Sequence, residues 1–231
     1  MRSSPRISLW LVLAVLCGFH AVDAQEAASA KEQINALPGT ASDTKDSRVI
    51  EQWRLSDALA EYGERAGDAL ALVEAAKLRK LLAADIALPE SGSARTWESL
   101  LARANDLSGT DKAIAAAIRG VRLMRLRDIP TLPPDVHVLH RQLVKNGSSR
   151  AEVRFHAGEL AIVYLRCDGT AAVALSIYDD LNNLICASAN GGRDAECRWR
   201  PRRDGSFLID VHNNNTVDVE YDLAINQEMQ D

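Results

Sequence analysis

The stretch LICASANGGRDAECRWR, residues 184–200, decides how the second half of the chain is read. Two short runs, 184–188 and 196–200, flank a turn-rich segment that contains Asn190, Gly191 and Gly192. Runs of this kind joined by Asn and Gly read as two strands and a loop. The loop brings Cys186 and Cys197 together, and in an oxidising compartment the two sulfurs should pair. Closing so short a loop would stabilise the fold by roughly 2–3 kcal/mol. Strand alternation then places Arg198 and Arg200 on one face and Trp199 on the other.

Period-two patterning extends from this segment in both directions. Residues 138–144, 152–156, 159–166, 172–178, 206–212 and 217–225 read as further strands. The turns between them carry Asn146-Gly147, Asp168-Gly169, Asn182-Asn183 and Asp204-Gly205. Eight short strands separated by turns indicate an antiparallel β-sandwich of jelly-roll type or a barrel. Before residue 129 the period is helical. Ile50, Trp53, Leu59 and Tyr62 mark a first helix that Gly63 closes. Asp68 caps a second helix carrying Leu70, Val73 and Leu81. A third begins near Thr96, with Trp97, Leu100 and Leu101. A fourth follows Asp111, with Ile114, Ile118 and Val121. Arg119, Arg122, Arg125 and Arg127 crowd its end, where the helix dipole stabilises cations.

The expected class is therefore α+β in separate domains. A signal peptide covers 1–24 and a flexible lead 25–47. A helical domain of hairpins covers 48–128, and a Pro-rich connector 129–135. A jelly-roll-like sandwich covers 136–227 and a tail 228–231. The signal rests on Arg2 and Arg6, an apolar run from Ile7 to Phe19, and small residues before Gln25. That run is too short to span a bilayer, so no membrane span is expected in the mature chain. The protein is expected in the periplasm or outside the cell. Its net charge of −5 argues against a general nucleic-acid binder. Cys167 is left over, as a buried thiol or as a half of an intermolecular disulfide.

Residues 150–226 resemble the pre-peptidase C-terminal domain of secreted bacterial proteins. The likeness rests on Ala157-Gly158-Glu159, on Leu175 to Asp179 with Asn183-Leu184, and on Trp199-Arg200-Pro201. It continues through Gly205 to Val211 with Asn213 and the closing Tyr221-Asp222-Leu223. With its helical half, the chain resembles uncharacterised exported proteins of proteobacteria. The resemblance implies a jelly-roll sandwich without an active site, in a family where some members bind calcium or polysaccharide. Aspartates usual in the strand ending at Tyr178 are replaced here by Ala172, Ala174 and Ser176.

Calcium needs six to eight converging oxygens. Asp179, Asp180, Asn182 and Asp194 are the weak candidates, but turns favour the same residue types for conformational reasons. His137 and His140, three apart in a strand, face opposite ways and suit zinc poorly. No cofactor is expected. Ser42 to Lys45 match a Ser-x-x-Lys pattern without its companion motifs, and no other catalytic signature is present, so no enzyme is expected.

The pointed feature is a basic strip, Arg198, Arg200, Arg202 and Arg203, in an otherwise acidic chain. Its plain reading is an outer row of a sheet whose Trp199 fills the core. Its functional reading is recognition of an anionic envelope glycan or an acidic face of another envelope protein. The chain is thus expected to be a non-catalytic binding or accessory protein of the cell envelope. The alternative is a protein–protein scaffold acting through the helical hairpins.

Overall fold

The computed structural model describes residues 34–39, 44–83, 86–87, 95–125, 136–167, 173–188 and 193–227. The signal, the Ser-x-x-Lys motif up to Asp43, the Pro-rich connector and the loop tip at 189–192 lie outside the described residues. Four helices are followed by an antiparallel sandwich, the α+β arrangement expected. The helices are α1 (Lys45–Ala66), α2 (Ala69–Leu82), α3 (Trp97–Ser108) and α4 (Lys112–Leu123). The main strands are β3 (Val136–Leu143), β4 (Ser148–Phe155), β5 (Ala161–Cys167), β6 (Val173–Tyr178), β7 (Leu184–Ser188), β8 (Asp194–Arg200), β9 (Gly205–Asn213) and β10 (Val219–Ile225). Two-residue strands β1 (Leu37–Pro38) and β2 (Ile86–Ala87) complete the set.

One sheet has the order β1-β8-β5-β10-β3-β2 and the other β4-β9-β6-β7. Numbering the eight main strands from one gives 6-3-8-1 facing 2-7-4-5, which is jelly-roll order. The inward rows of both sheets form one core. It contains Val153, Phe155, Val163, Leu165, Leu175, Ile177, Trp199, Phe207, Ile209 and Tyr221. Trp199 meets Phe155 and Phe207 at ring distances of 4.9 and 5.3 Å, so the strand alternation read at Cys197–Arg200 holds. Cys186 and Cys197 are bonded, tying β7 of one sheet to β8 of the other. Cys167 is enclosed in the same core.

Each helix begins where its side-chain cap says it should. Thr44, Asp68, Thr96 and Asp111 accept hydrogen bonds from the first free backbone N–H groups. Gly63 does not stop α1, which continues to Ala66 and ends at Gly67 in the left-handed conformation. The reason for glycine at 63 is packing. A Cβ there would lie 2.8 Å from Leu72 Cγ and 2.9 Å from Asp68 O. Part of the expected lead is also ordered. Leu37 and Pro38 pair with Arg200 and Trp199 at the edge of β8. A Cβ on Gly39 would strike the Arg198 backbone at 2.6 Å.

Much of the outer face of the first sheet is covered by helices. Val49, Ile50 and Trp53 of α1, with Leu82, cover Val138, Ile162, Tyr164 and Ala224. A second layer, α3 and α4, packs on α2 through Leu72, Ala76, Leu101, Ala104, Ile118 and Val121. The described residues from Asn35 onward accordingly form one compact unit.

Charges are buried between the helices and the sheet. Asp57 Oδ1 of α1 accepts from Arg79 of α2 at 2.5 Å and pairs with Arg166 of β5 at 2.7 Å. All three side chains are at most 4% exposed. The Arg79 guanidinium also lies 3.3 Å over the Trp53 ring. Burial pushes Arg79 down to about 9, with Arg95 adding to the fall and Asp222 opposing it. It therefore stays charged at neutral pH. Removing one carboxylate from two buried cations leaves uncompensated charge, which costs about 3–5 kcal/mol. Asp57→Ala should lower the unfolding free energy by that amount in urea titrations. An unchanged midpoint would show that the carboxylate does not hold the two layers together.

Candidate functional site

The four strip arginines are not equivalent. Arg198 lies on the face that α1 covers and is bound on several sides. It donates to Glu196 and to Ser47 Oγ, and faces Glu51 at 3.6 Å. Its role is to seat the start of α1 on β8. Arg200, Arg202 and Arg203 stand at one end of the sandwich. Arg200 Nη1 donates to Gly158 O at 2.8 Å, and Arg202 Nε to Ala36 O at 3.3 Å. Arg203 pairs with Asp180 at 2.6 Å.

The turn carrying these groups is held from below by Asn35. Its Oδ1 accepts from the N–H groups of both Arg202 and Arg203, each at 2.9 Å, and its Nδ2 donates to Arg203 O at 3.0 Å. The Asn35 N–H donates to Asp179 Oδ2 at 3.0 Å. Sequence reasoning missed Asn35, because it sits in a polar lead with no periodic signal. Only its place two residues before a Leu-Pro pair marked it out.

Asp179 explains what the acidic turn is for. Its two carboxylate oxygens accept from the N–H groups of Asn35, Leu181 and Asn183 and from Asn183 Nδ2. Burial alone would raise this carboxyl, but the surrounding donors outweigh it and hold the group below the usual carboxylate range. The four calcium candidates are not brought together. Asp180 faces Arg203. Asp194 begins β8 in the other sheet, opposite Arg166. Asn182 adopts the left-handed conformation at the turn, with φ 62°. Among the described residues no group of three His, Cys, Asp or Glu side chains converges on a metal-sized site. His140 Nδ1 instead sits 2.9 Å from Asp222 Oδ1.

A cleft of about 130 Å³ opens on the opposite side of the sandwich from the disulfide, between β3 and β4. Leu139, Val211 and Leu223 form its floor, and Arg141 and Arg150 stand at its mouth. It exists because the inward row of β4 begins with small residues, Ser149 and Ala151. No nucleophile-and-base pair lines it.

No family model matches the chain, and no curated protein matches it in sequence. Solved structures similar to it include the pre-peptidase C-terminal domain of Bacillus anthracis collagenase. That match has 12% identity and a TM-score of 0.32, over 38% of this chain and 86% of the other. The Yersinia pseudotuberculosis-derived mitogen matches at 14% identity and TM-score 0.35, over 43% and 91%. Aeromonas hydrophila PliG, a periplasmic inhibitor of g-type lysozyme, matches at 13% and 0.32, over 39% and 84%.

Asp179→Asn would set an amide N–H₂ against backbone donors that now meet carboxylate oxygens. The cost of unsatisfied buried groups is about 1–3 kcal/mol. A depressed carboxyl stabilises the fold above its unfolded pKa of about 3.9 and loses that contribution as pH falls through its lower folded value. The stability gap between wild type and Asp179→Asn should therefore be full at pH 7 and narrow below about pH 4. A gap independent of pH would remove the charge from this account.

Proposed function

We propose that the chain is a non-catalytic binding module of the cell envelope. In this reading the β-sandwich presents Arg200 and Arg202, flanked by Arg203, to an anionic glycan or an acidic protein surface. One observation carries it. Arg200 and Arg202 are each oriented by a backbone carbonyl, which holds the guanidinium without neutralising its charge. A guanidinium has five N–H donors. Each of these has one such bond among the described residues, so the heads are aimed yet keep donors and charge for a ligand. Asn35 and Asp179 fix the turn from which Arg202 projects, and Arg200 ends β8 just before it. Arg203 is partly neutralised by Asp180 and adds less. Arg198 is assigned to structure rather than to the ligand.

The disulfide supports export to an oxidising compartment. Among the described residues no helix is long and apolar enough to cross a membrane. A helical contact surface has one observation in its favour. Leu55 and Tyr62 stand seven residues apart on one face of α1, each 52% exposed.

The test uses the full exported chain, because the helices and the first sheet share a core. Co-sedimentation with an envelope fraction should weaken as salt rises. Arg200→Ser with Arg202→Ser should reduce it roughly tenfold, in line with the loss of two charge-assisted contacts. Arg203→Ser should do less. If the double variant sediments like wild type while Leu55→Asp with Tyr62→Asp abolishes retention, the helical face is the contact and the arginine reading fails.

A further inference from the structure

Among the described residues β4 pairs only with β9, so one edge of an eight-residue strand carries no partner. An unpaired edge of this length is a template for another strand. Among the described residues the other edges are interrupted. β2 covers Val136 and His137 of β3, and β1 covers Trp199 and Arg200 of β8. β7 is a five-residue strand that the disulfide ties to β8, so β4 is the edge open along its full eight residues.

The outward row of β4 is Ser148, Arg150, Glu152 and Arg154, all exposed. Its charges alternate in sign along the edge. Antiparallel pairing of two such edges about a two-fold axis through Ala151 makes positions 150 and 152 face each other, and also 148 and 154. Arg150 of each copy then opposes Glu152 of the other, twice, with Ser148 opposite Arg154. The inward row sets Ala151 against Ala151, so no large side chain separates the backbones at the axis. An axis through Glu152 would instead set Glu152 against itself and Arg150 against Arg154. The charge pattern thus selects one register over its neighbour. Arg150 is 66% exposed and now pairs with Asp210 of β9 at 3.3 Å, so its side chain would turn from that exposed pair to Glu152 of the other copy.

We propose that two copies of this chain form an isologous dimer by antiparallel β4–β4 pairing centred on Ala151, joining the two four-stranded sheets into one of eight. The proposal stands apart from the anion-binding reading, since the arginine turn is not part of the pairing.

The experiment is sedimentation equilibrium on the chain from Gln25 onward, up to about 100 µM, with hydrogen exchange of the β4 amides at both ends of the range. A dimer with Kd near ~1 µM would be almost fully formed there. Exchange within residues 149–153 should slow as concentration rises. Arg150→Glu or Glu152→Arg should each weaken dimerisation roughly tenfold or more, because two attractive pairs become two repulsive ones. The double variant Arg150→Glu with Glu152→Arg should restore it. At a concentration where wild type is monomeric, all three variants should still unfold cooperatively, with a midpoint lowered at most by the loss of the exposed Arg150–Asp210 pair, which separates lost pairing from lost folding. A monomer at about 100 µM overturns the proposal. So does a dimer whose β4 amides gain no protection, or one that the double variant fails to restore.

Discussion

One carboxylate shared between two buried guanidinium groups governs how this molecule is put together. Arg166 rises from the middle of a sheet, on the face turned away from the sandwich core. A charge in that position cannot stay buried alone. The covering layer must bring a counter-charge, and Asp57 brings it while also holding Arg79 of the next helix. A buried ion cluster of this kind is poor evidence of net stabilisation, because desolvation offsets the attraction. Its effect is to specify geometry: the face of α1 that carries Asp57 must sit over β5, and α2 must follow. The apolar contacts around Trp53 and Tyr164 then fill the rest of the layer. Tyr164, whose ionisation burial also pushes upward, belongs to the same dry interface.

Local patterns made most of the sandwich readable. Alternation placed Trp199 inside and Arg198 outside, and the Asn-Gly segment placed Cys186 opposite Cys197. Each is a relation between residues close in sequence, or between two strands joined by one loop. The helix starts were readable for the same reason, since Asp68, Thr96 and Asp111 cap their own first turns. What stayed hidden depends on distance along the chain. Asp57, Arg79 and Arg166 have no spacing that announces them, and each looks like an ordinary surface charge. Gly63 looked like a terminator because its neighbour across the crossing, Leu72, is invisible to a local window. β1 and β2 are too short to carry any period. At the arginine strip, alternation gave the face of Arg198 correctly, yet nothing local showed that a helix lies on that face.

The same logic sorts the surfaces left for function. The outer face of one sheet is spent on α1 and α2. The β7–β8 side is closed by the disulfide, with the aromatic trio behind it. The turn after β8 is spent in its backbone, which Asn35 satisfies, but its side chains are only steered. That difference matters physically. A side chain tied by carboxylates, like Arg198, has little charge to offer. One steered by carbonyls, like Arg200, keeps it.

Geometry also connects the basic turn to the open edge without merging them. Phe155 pairs with Gly205, so β4 ends beside the segment that follows the arginine turn. Pairing two copies about Ala151 runs their β4 strands in opposite directions. The two arginine turns then lie at opposite ends of the joined sheet. A dimer of this form would suit a long anionic chain better than a small anion. On the proposed anion-binding reading, each turn would need only modest affinity, because the second contact would form at high effective concentration once the first is made. A compact ligand would gain nothing from the pairing. The dependence of binding on polymer length is therefore the property in which edge and turn meet.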